Sequence, residues 1–207
     1  MADYDLTWKV ADSVPLENAA TISMCGLTAA QGLFYRMGFP SPFYGTPVFK
    51  DEEEPVNVFI YGATTNVGLF AAQMVRVAEK TAGKKVRLIG AASTSKHPLL
   101  KDAPYQYDFL VDYRHDGWPK KVREATGGRG VSYAVDAVSI GSTVAMVEST
   151  LSPSGRFVAY RSPAVGGFDI ASLKIKPFIG PVWEGLGVEI GYHGNISPLH
   201  STVIWSV

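Results

Sequence analysis

The chain has 207 residues, enough for one large domain or two small ones, and its 46% hydrophobic and 18% charged residues are typical of a soluble globular core. Basic and acidic residues balance at 19 each, so charge gives no reason to expect a nucleic acid or an anionic membrane as partner. A single cysteine, Cys25, excludes an internal disulfide and a cysteine-rich zinc site. There is neither a basic-then-apolar leader nor an apolar run near the ~20 residues of a membrane span, so we expect a cytoplasmic protein.

Two helices are predicted before the first strand. The first covers Pro15–Ala20 and is opened by Ser13 and Pro15, and the second covers Leu27–Met37 and is stopped by Gly38. The acidic run over residues 51–54 predicts a solvated turn at the entrance to the first strand.

The stretch from Val56 to Gly83 predicts a strand, a tight turn and a long helix. Val56–Tyr61 is almost continuously apolar, as in a parallel strand that is covered on both faces. The turn from Gly62 to Gly68 has small side chains, and apolar residues then recur at helical spacing until Gly83. Because the amino end of that helix points N–H groups and a positive dipole end at the turn, the turn is a candidate seat for a phosphate or pyrophosphate.

The turn matches the dinucleotide fingerprint G-x-G-x-x-G only at its third glycine. The aligned window covers residues 63–68, and small residues hold the other two glycine positions. Gly68 permits close packing of the helix on the strand, whereas Thr65 narrows the approach of the backbone to a pyrophosphate. On spacing alone, a buried strand–helix unit without a ligand is as good an interpretation as a nucleotide site.

Strands and helices alternate along the rest of the chain. Helices are predicted over residues 119–126 and through residues 144–147. Such alternation implies right-handed crossovers and an α/β fold, a doubly wound parallel sheet of Rossmann type with about six strands in the order 3-2-1-4-5-6 and helices on both faces. The domains are then a helical lead-in over 1–50, a dinucleotide-binding domain over 51–198 and an irregular tail over 199–207. The later strands are predicted over Val86–Ala92, Phe109–Val111, Val131–Val138, Gly155–Tyr160 and Val188–Tyr192.

The end of the second strand carries the residues that discriminate between cofactors. An NAD site places an acid there to accept hydrogen bonds from the ribose 2′-hydroxyl. This chain has Ser93, Ser95 and Lys96, with no acid within reach, and hydroxyl groups with a lysine suit a 2′-phosphate. Tyr113 and Arg114, at the end of the third strand, could add an aromatic wall and another cation. The pattern favours NADPH over NADH, although the same residues could simply cap the next helix, with Lys96 solvated.

Other catalytic patterns are weak. No Ser-His-Asp pattern or G-x-S-x-G elbow is present, and Asp136, after a buried strand, has a structural hydrogen-bonding role as its better interpretation. Cys25, between two predicted helices, is better explained as a small core residue than as a nucleophile. No metal site is predicted, because metal-ligand spacing is lacking among the four histidines, His97, His115, His193 and His200.

Three separated motifs resemble the medium-chain dehydrogenase/reductase superfamily. Residues 15–21 followed by 26–30 are similar to the segment that precedes its cofactor domain. The turn over 61–68 resembles the zinc-independent, quinone-reductase-like branch, and residues 182–189 resemble the fungal ToxD-like group, which includes trans-acting enoyl reductases that assist polyketide synthases. The resemblance covers roughly residues 13 to 198.

The resemblance implies NADPH-dependent reduction of an activated carbon–carbon double bond in secondary metabolism. The substrate would be a small-molecule or carrier-bound enoyl group, and a polyketide synthase would be a partner. It also assigns cofactor contacts. The pyrophosphate would contact Thr64, Thr65, Asn66 and Val67. The 2′-phosphate side of the cofactor would contact Ser93, Lys96 and Tyr113, with Ser95 beside them. The nicotinamide ribose would lie along Val138 and Ser139.

The chain also departs from that pattern. Family members begin with a GroES-like catalytic domain, which these residues lack, and the tail after Pro198 does not resemble the usual return into that domain. Because the substrate of a two-domain dehydrogenase binds between the domains, we expect the isolated chain to be weak or inactive. The alternative is a non-catalytic nucleotide-binding or interaction module. It could dimerise through the predicted sixth strand, Val188–Tyr192, or through apolar surface at Trp8, Trp183 and Trp205.

Overall fold

The centre of the fold is a six-stranded parallel sheet in the order β3-β2-β1-β4-β5-β6. The computed structural model describes residues 9–42, 55–180 and 182, and the backbone of 190–192 and 195–197. The predicted α/β class and strand order are confirmed, and the order reverses between β1 and β4. The strands are β1 Val56–Tyr61, β2 Val86–Ala91, β3 Phe109–Val111, β4 Val131–Asp136, β5 Leu151–Ala159 and β6 Phe178–Ile179.

The helices lie between these strands and before the first one. The chain is helical from Leu16 to Arg36 without a break, so the prediction of two separate lead-in helices is wrong. Within this lead-in helix, α-helical and π-helical turns alternate, and no proline interrupts it. It ends before Gly38, whose φ of 64° confirms the predicted stop. The α-helices are α1 Leu16–Thr21, α2 Leu27–Ala30, α3 Asn66–Ala82, α4 His97–Lys101, α5 Trp118–Ala125, α6 Thr143–Glu148 and α7 Pro163–Gly166.

β1 and α3 form the central unit that the sequence predicts. All six residues of β1 are buried, which explains why all of them but Asn57 are apolar. α3 begins after Thr65, which caps it, and ends at Gly83, where a φ of 63° lets the Gly83 N–H donate to the Glu79 carbonyl. Its buried face presents mainly alanine and valine, so the helix axis can lie close to the sheet.

Two apolar layers cover the sheet. Alternate residues of β1 face opposite sides: Val58 and Ile60 pack with α3, and Phe59 packs with the other layer. The lead-in helix contributes to the first layer, since Ala29 and Leu33 are completely buried in the same cluster as Val58. The lead-in helix is therefore part of the core that supports the sheet.

The sixth strand is not the one that the sequence predicts. Phe178–Ile179 pairs with β5, whereas Ile190–Tyr192 pairs antiparallel with Asn195–Ser197 outside the main sheet. A two-residue strand is too short to show any periodicity. The alternating apolar residues over 188–192 show the strand pattern more clearly, so the sequence predicts the sixth strand there. Because Ile190–Tyr192 does not form the edge of the main sheet, the structure does not support dimerisation through that edge. Trp8, Trp183, Trp205, residues 188–189 and the tail over 199–207 lie outside the described residues.

Arg76 fixes α3 to the strands beneath it. Its guanidinium donates to Glu79 Oε2 at 2.7 Å and to Asp108 Oδ2 at 2.9 Å, and also to the Gln106 carbonyl. Those two carboxylates in turn accept from the backbone of β2, Glu79 from Val86 N–H and Asp108 from Leu88 N–H. A mostly buried arginine thus holds together α3, β2 and the loop that leads into β3.

Replacing Arg76 with methionine should lower the free energy of unfolding by about 2 kcal/mol, because several polar partners lose their donor at once. Urea denaturation measures this change. Lys120→Met is the matched control, because Lys120 is exposed and forms an ion pair with the exposed Glu124 at only 3.9 Å. We expect a change below about 0.5 kcal/mol there. Equal effects of the two substitutions would contradict the proposed role of Arg76.

Candidate nucleotide-binding site

The carboxyl ends of β1, β2 and β4 meet at one edge of the sheet. Tyr61, the last residue of β1, is in register with Asp136, the last residue of β4. The Ala137 N–H donates to the Tyr61 carbonyl at 3.0 Å, and the Ala63 N–H donates to the Ala91 carbonyl at 3.0 Å. The turns that follow these strands therefore start side by side, at the point where the strand order reverses.

The turn between β1 and α3 is held by its own hydrogen bonds. Thr65 donates from its N–H (2.9 Å) and from its hydroxyl (2.8 Å) to the Gly62 carbonyl. The same hydroxyl accepts from Gly68 N–H at 3.0 Å, which caps α3. Thr65, a predicted pyrophosphate contact, thus uses its side chain to shape the turn.

Two glycines allow the turn to pack closely against the neighbouring backbone and side chains. Gly62 has a φ of 77°, and a Cβ atom placed on it would lie 2.8 Å from Val138 Cγ2. A Cβ atom on Gly68 would lie 2.4 Å from the Gly62 carbonyl oxygen, far inside a normal contact. The predicted role of Gly68, close packing of helix on strand, is confirmed. Val138, predicted to lie along the nicotinamide ribose, borders the same turn.

The first turn of α3 supplies the anion-binding potential of the site. A helix leaves the N–H groups of its first residues without intrahelical partners, and Thr65 satisfies only that of Gly68. Among the described residues, the N–H groups of Asn66 and Val67 have no hydrogen-bond acceptor, so they can serve a ligand at the positive end of a 17-residue helix. Thr64 and Val67 are half-buried and Asn66 is exposed, so this end of the helix borders solvent.

Past β2, the predicted 2′-phosphate residues lie at the same edge of the sheet. Ser93 is half-buried, whereas Ser95 and Lys96 are exposed. The Lys96 N–H donates to the Ser93 carbonyl, but the Ser93 side chain makes no capping hydrogen bond, so a cap does not account for its hydroxyl. Tyr113, after β3, is 45% exposed and packs edge-on against Tyr61, with ring centroids 6.4 Å apart.

The structure brings an acid to this place that sequence reasoning missed. Asp112, after β3, accepts hydrogen bonds at Oδ2 from the Thr94 hydroxyl (2.6 Å) and the Thr94 N–H (3.1 Å). The Thr94 hydroxyl, followed by the Arg114 N–H, holds the pKa of Asp112 well below its usual range, so the carboxylate is ionised. The expectation of no acid within reach of the end of β2 is therefore wrong. Strand pairing between β2 and β3 could have revealed it, since both strands end at one edge.

The turn after β4 is built around Asp136. Its Oδ1 accepts from Val138 N–H (3.0 Å) and Ser139 N–H (2.7 Å), which confirms the predicted structural role. The carboxyl is fully buried, and burial raises its pKa to about 6 although those N–H donors oppose the shift. Among the described residues, its Oδ2 has no hydrogen-bond partner.

Ser139 belongs to this turn more than to a ligand surface. Its side chain is fully buried, its φ is 53°, and its hydroxyl donates to the Asp136 carbonyl at 2.7 Å. The same hydroxyl accepts from Tyr160 N–H at 3.0 Å, which joins the ends of β4 and β5. A contact between the Ser139 side chain and the nicotinamide ribose is thus not supported, and Val138 is the better placed of the two.

Two further properties of the described residues bear on function. No three side chains of histidine, cysteine, aspartate or glutamate come together there as they would around a metal ion. The described helices include none that is both long and apolar enough to cross a membrane.

No family model matches the chain. Among curated proteins, fungal reductases resemble it over nearly its whole length. The trans-enoyl reductase ACTTS2 of Alternaria alternata is 29% identical over 192 residues, which are 93% of this chain and 51% of the relative. The enoyl reductase cheB of Chaetomium globosum is 26% identical over 197 residues, covering 94% of this chain and 49% of the relative. The chain thus spans about half the length of the curated relatives it matches.

Solved structures show the same fold. The CurK enoyl reductase has a TM-score of 0.67 at 21% identity, covering 86% of this chain and 50% of its own. A mycobacterial protein complexed with NADPH has a TM-score of 0.62 at 25% identity, covering 89% of this chain and 52% of its own. The fold is that of the cofactor-binding domain of the medium-chain dehydrogenase/reductases. In sequence the chain is similar to the fungal trans-enoyl reductases, which confirms the resemblance drawn from its motifs.

Proposed function

We propose that the chain binds NADPH across the edge of the sheet where β1 and β4 end. The observation that carries this proposal is the amino end of α3, which faces the Gly62–Gly68 turn at the reversal of strand order. The Asn66 and Val67 N–H groups, with Thr64 beside them, would bind the diphosphate. The predicted dinucleotide-binding domain over residues 51–198 would hold the nucleotide, and the lead-in helix would complete its core.

Each end of the dinucleotide has its own residues in this proposal. The exposed Lys96 and the hydroxyls of Ser93 and Ser95 suit the 2′-phosphate, because they offer a positive charge and donors. The exposed ring of Tyr113 offers an apolar wall beside them. Val138, against Gly62, would border the nicotinamide ribose at the opposite end.

We further propose that the whole protein is an NADPH-dependent reductase of an activated carbon–carbon double bond. When bound, NADPH supplies a hydride for the β-carbon of an enoyl substrate, and the α-carbon takes a proton. The substrate would be a small-molecule or carrier-bound enoyl group, with a polyketide synthase as partner. This proposal is supported by the relatives named trans-enoyl reductases and by the neighbour complexed with NADPH.

The 207 residues span only about half the length of their relatives, and this limits what they can do alone. Hydride transfer needs the substrate held close to the nicotinamide with water excluded, and such a cleft needs two walls. We therefore expect the isolated chain to bind NADPH but to reduce enones or quinones far more slowly than two-domain reductases do. A non-catalytic interaction module is the second candidate.

Fluorescence titration of the chain with NADPH and NADH tests the proposal. We expect saturable binding of both nucleotides. NADPH should bind at least tenfold more tightly, because Lys96 and the hydroxyls of Ser93 and Ser95 can bind its 2′-phosphate. Size-exclusion chromatography with and without NADPH addresses the second candidate. Absence of binding of either nucleotide at millimolar concentration, together with a dimer that ignores NADPH, would favour the interaction module.

A further inference from the structure

Asp112 connects the two loops at the adenosine end of the proposed site. Beside its two hydrogen bonds from Thr94, the carboxylate accepts at Oδ1 from Arg114 N–H (3.0 Å) and from Arg114 Nε (3.2 Å). One ionised group therefore joins the loop after β2 to the loop after β3. The charged partner in this arrangement is Arg114, which the sequence offers only as another cation at the end of the third strand.

Arg114 packs on Tyr113 and borders solvent, in addition to binding Asp112. Its guanidinium carbon lies 5.7 Å from the ring centroid of Tyr113, a cation–π contact that orients the side chain. The Arg114 side chain is 56% exposed, whereas that of Asp112 is 11% exposed. The carboxylate is thus covered while the guanidinium borders solvent.

The charges of Asp112, Arg114 and Lys96 determine whether the adenosine end of the site favours a ribose with a 2′-phosphate or one with a 2′-hydroxyl. Asp112 contributes one negative charge, and Arg114 and Lys96 contribute two positive charges, so a phosphate with about two negative charges meets a net positive group. Without Arg114 the count falls to zero, and an ionised carboxylate is left without its charged partner. A bare carboxylate accepts from a ribose 2′-hydroxyl and repels a 2′-phosphate.

We propose that Arg114 sets the preference for NADPH over NADH by neutralising Asp112 at the adenosine end of the site. This inference rests on the proposed nucleotide binding and adds the residue pair that determines its selectivity. It differs from a simple phosphate contact by Arg114, because it makes Asp112 the reason that Arg114 is needed.

The test measures dissociation constants of NADPH and NADH for the wild-type chain, Arg114→Ala, Asp112→Asn and the double variant. Arg114→Ala should weaken NADPH binding at least tenfold and leave NADH binding unchanged or tighter. Adding Asp112→Asn to Arg114→Ala should recover most of the lost NADPH affinity, because it removes the unpaired negative charge. Arg114→Lys, which keeps the charge, should stay within about threefold of wild type. Lys120→Ala is the control, since it removes one exposed positive charge from α5.

The outcomes separate this inference from the function on which it rests. If the wild-type chain binds neither nucleotide, both fail. If it prefers NADPH but Arg114→Ala weakens both nucleotides equally, only the selectivity inference is overturned. If adding Asp112→Asn to Arg114→Ala does not restore NADPH affinity while NADH binding is intact, the inference is overturned, and Arg114 acts only as a direct phosphate contact. Should Asp112→Asn disturb the Thr94 loop, NADH affinity falls in that variant, and Arg114→Lys against Arg114→Ala then decides the role of the charge.

Discussion

Gly68→Ala should weaken NADPH binding at least tenfold and lower the free energy of unfolding by about 3 kcal/mol. The added methyl would lie 2.4 Å from the Gly62 carbonyl oxygen and 3.1 Å from Ala63 Cα. Both neighbours are backbone atoms, so the turn or the first turn of α3 must move by about 1 Å to reach a normal contact. That movement displaces the N–H groups proposed to bind the diphosphate. Urea denaturation and NADPH titration measure the two effects.

Gly117→Ala is the matched control for this substitution. Gly117 lies at the start of α5, has a φ of −77°, and a Cβ atom there would meet nothing within 4 Å. The same added methyl should therefore leave NADPH affinity unchanged and alter stability by less than about 1 kcal/mol. If Gly68→Ala binds NADPH as tightly as Gly117→Ala does, the amino end of α3 is not the diphosphate seat.

Asp136 should make the protein less stable as the pH rises from about 4 to about 6. Its pKa is raised from 3.8 to about 6 in the folded state, so over that range the folded chain binds more protons than the unfolded chain. The stabilisation is complete below the unfolded pKa and is lost as the pH rises through the folded pKa. A shift of about two units corresponds to about 3 kcal/mol. Urea denaturation at a series of pH values follows it.

Asp136→Asn isolates this contribution from those of other titrating groups. Asparagine keeps an oxygen that can accept from the Val138 and Ser139 N–H groups but cannot ionise. The difference in unfolding free energy between wild type and variant should change by about 3 kcal/mol between pH 4 and pH 7, to the disadvantage of the wild type. A difference that does not vary with pH would show that folding does not raise the pKa of Asp136.

The sequence predicts the parts of this fold that depend on long apolar patterns. β1, α3 and the stops at Gly38 and Gly83 follow from continuous burial, helical spacing and left-handed glycines. The sixth strand could not be predicted, because Phe178–Ile179 is chosen by its place beside β5 and not by any pattern of its own. The lead-in helix was divided in two because its π-helical turns disturb the spacing of apolar residues.

The candidate site shows the same division. Gly68 and Asp136 were assigned their structural roles correctly, since a glycine in a tight turn and an acid after a buried strand have few alternatives. Thr65 and Ser139 are predicted to contact the cofactor, and the structure uses their side chains within their own turns, which no sequence pattern indicates. Asp112 was missed because it lies 18 residues from Thr94 in sequence, and only the pairing of β2 with β3 brings the two together.

The close contact between Gly32 and Tyr160 limits how the protein can be shortened. A Cβ atom on Gly32 would overlap the Tyr160 hydroxyl, so the lead-in helix covers the end of β5 with no space between them. Tyr160 N–H in turn donates to Ser139, at the turn built around Asp136. Trimming the protein to begin at β1 would uncover this tyrosine and the turn behind it, so any minimal nucleotide-binding fragment should retain residues 15–42.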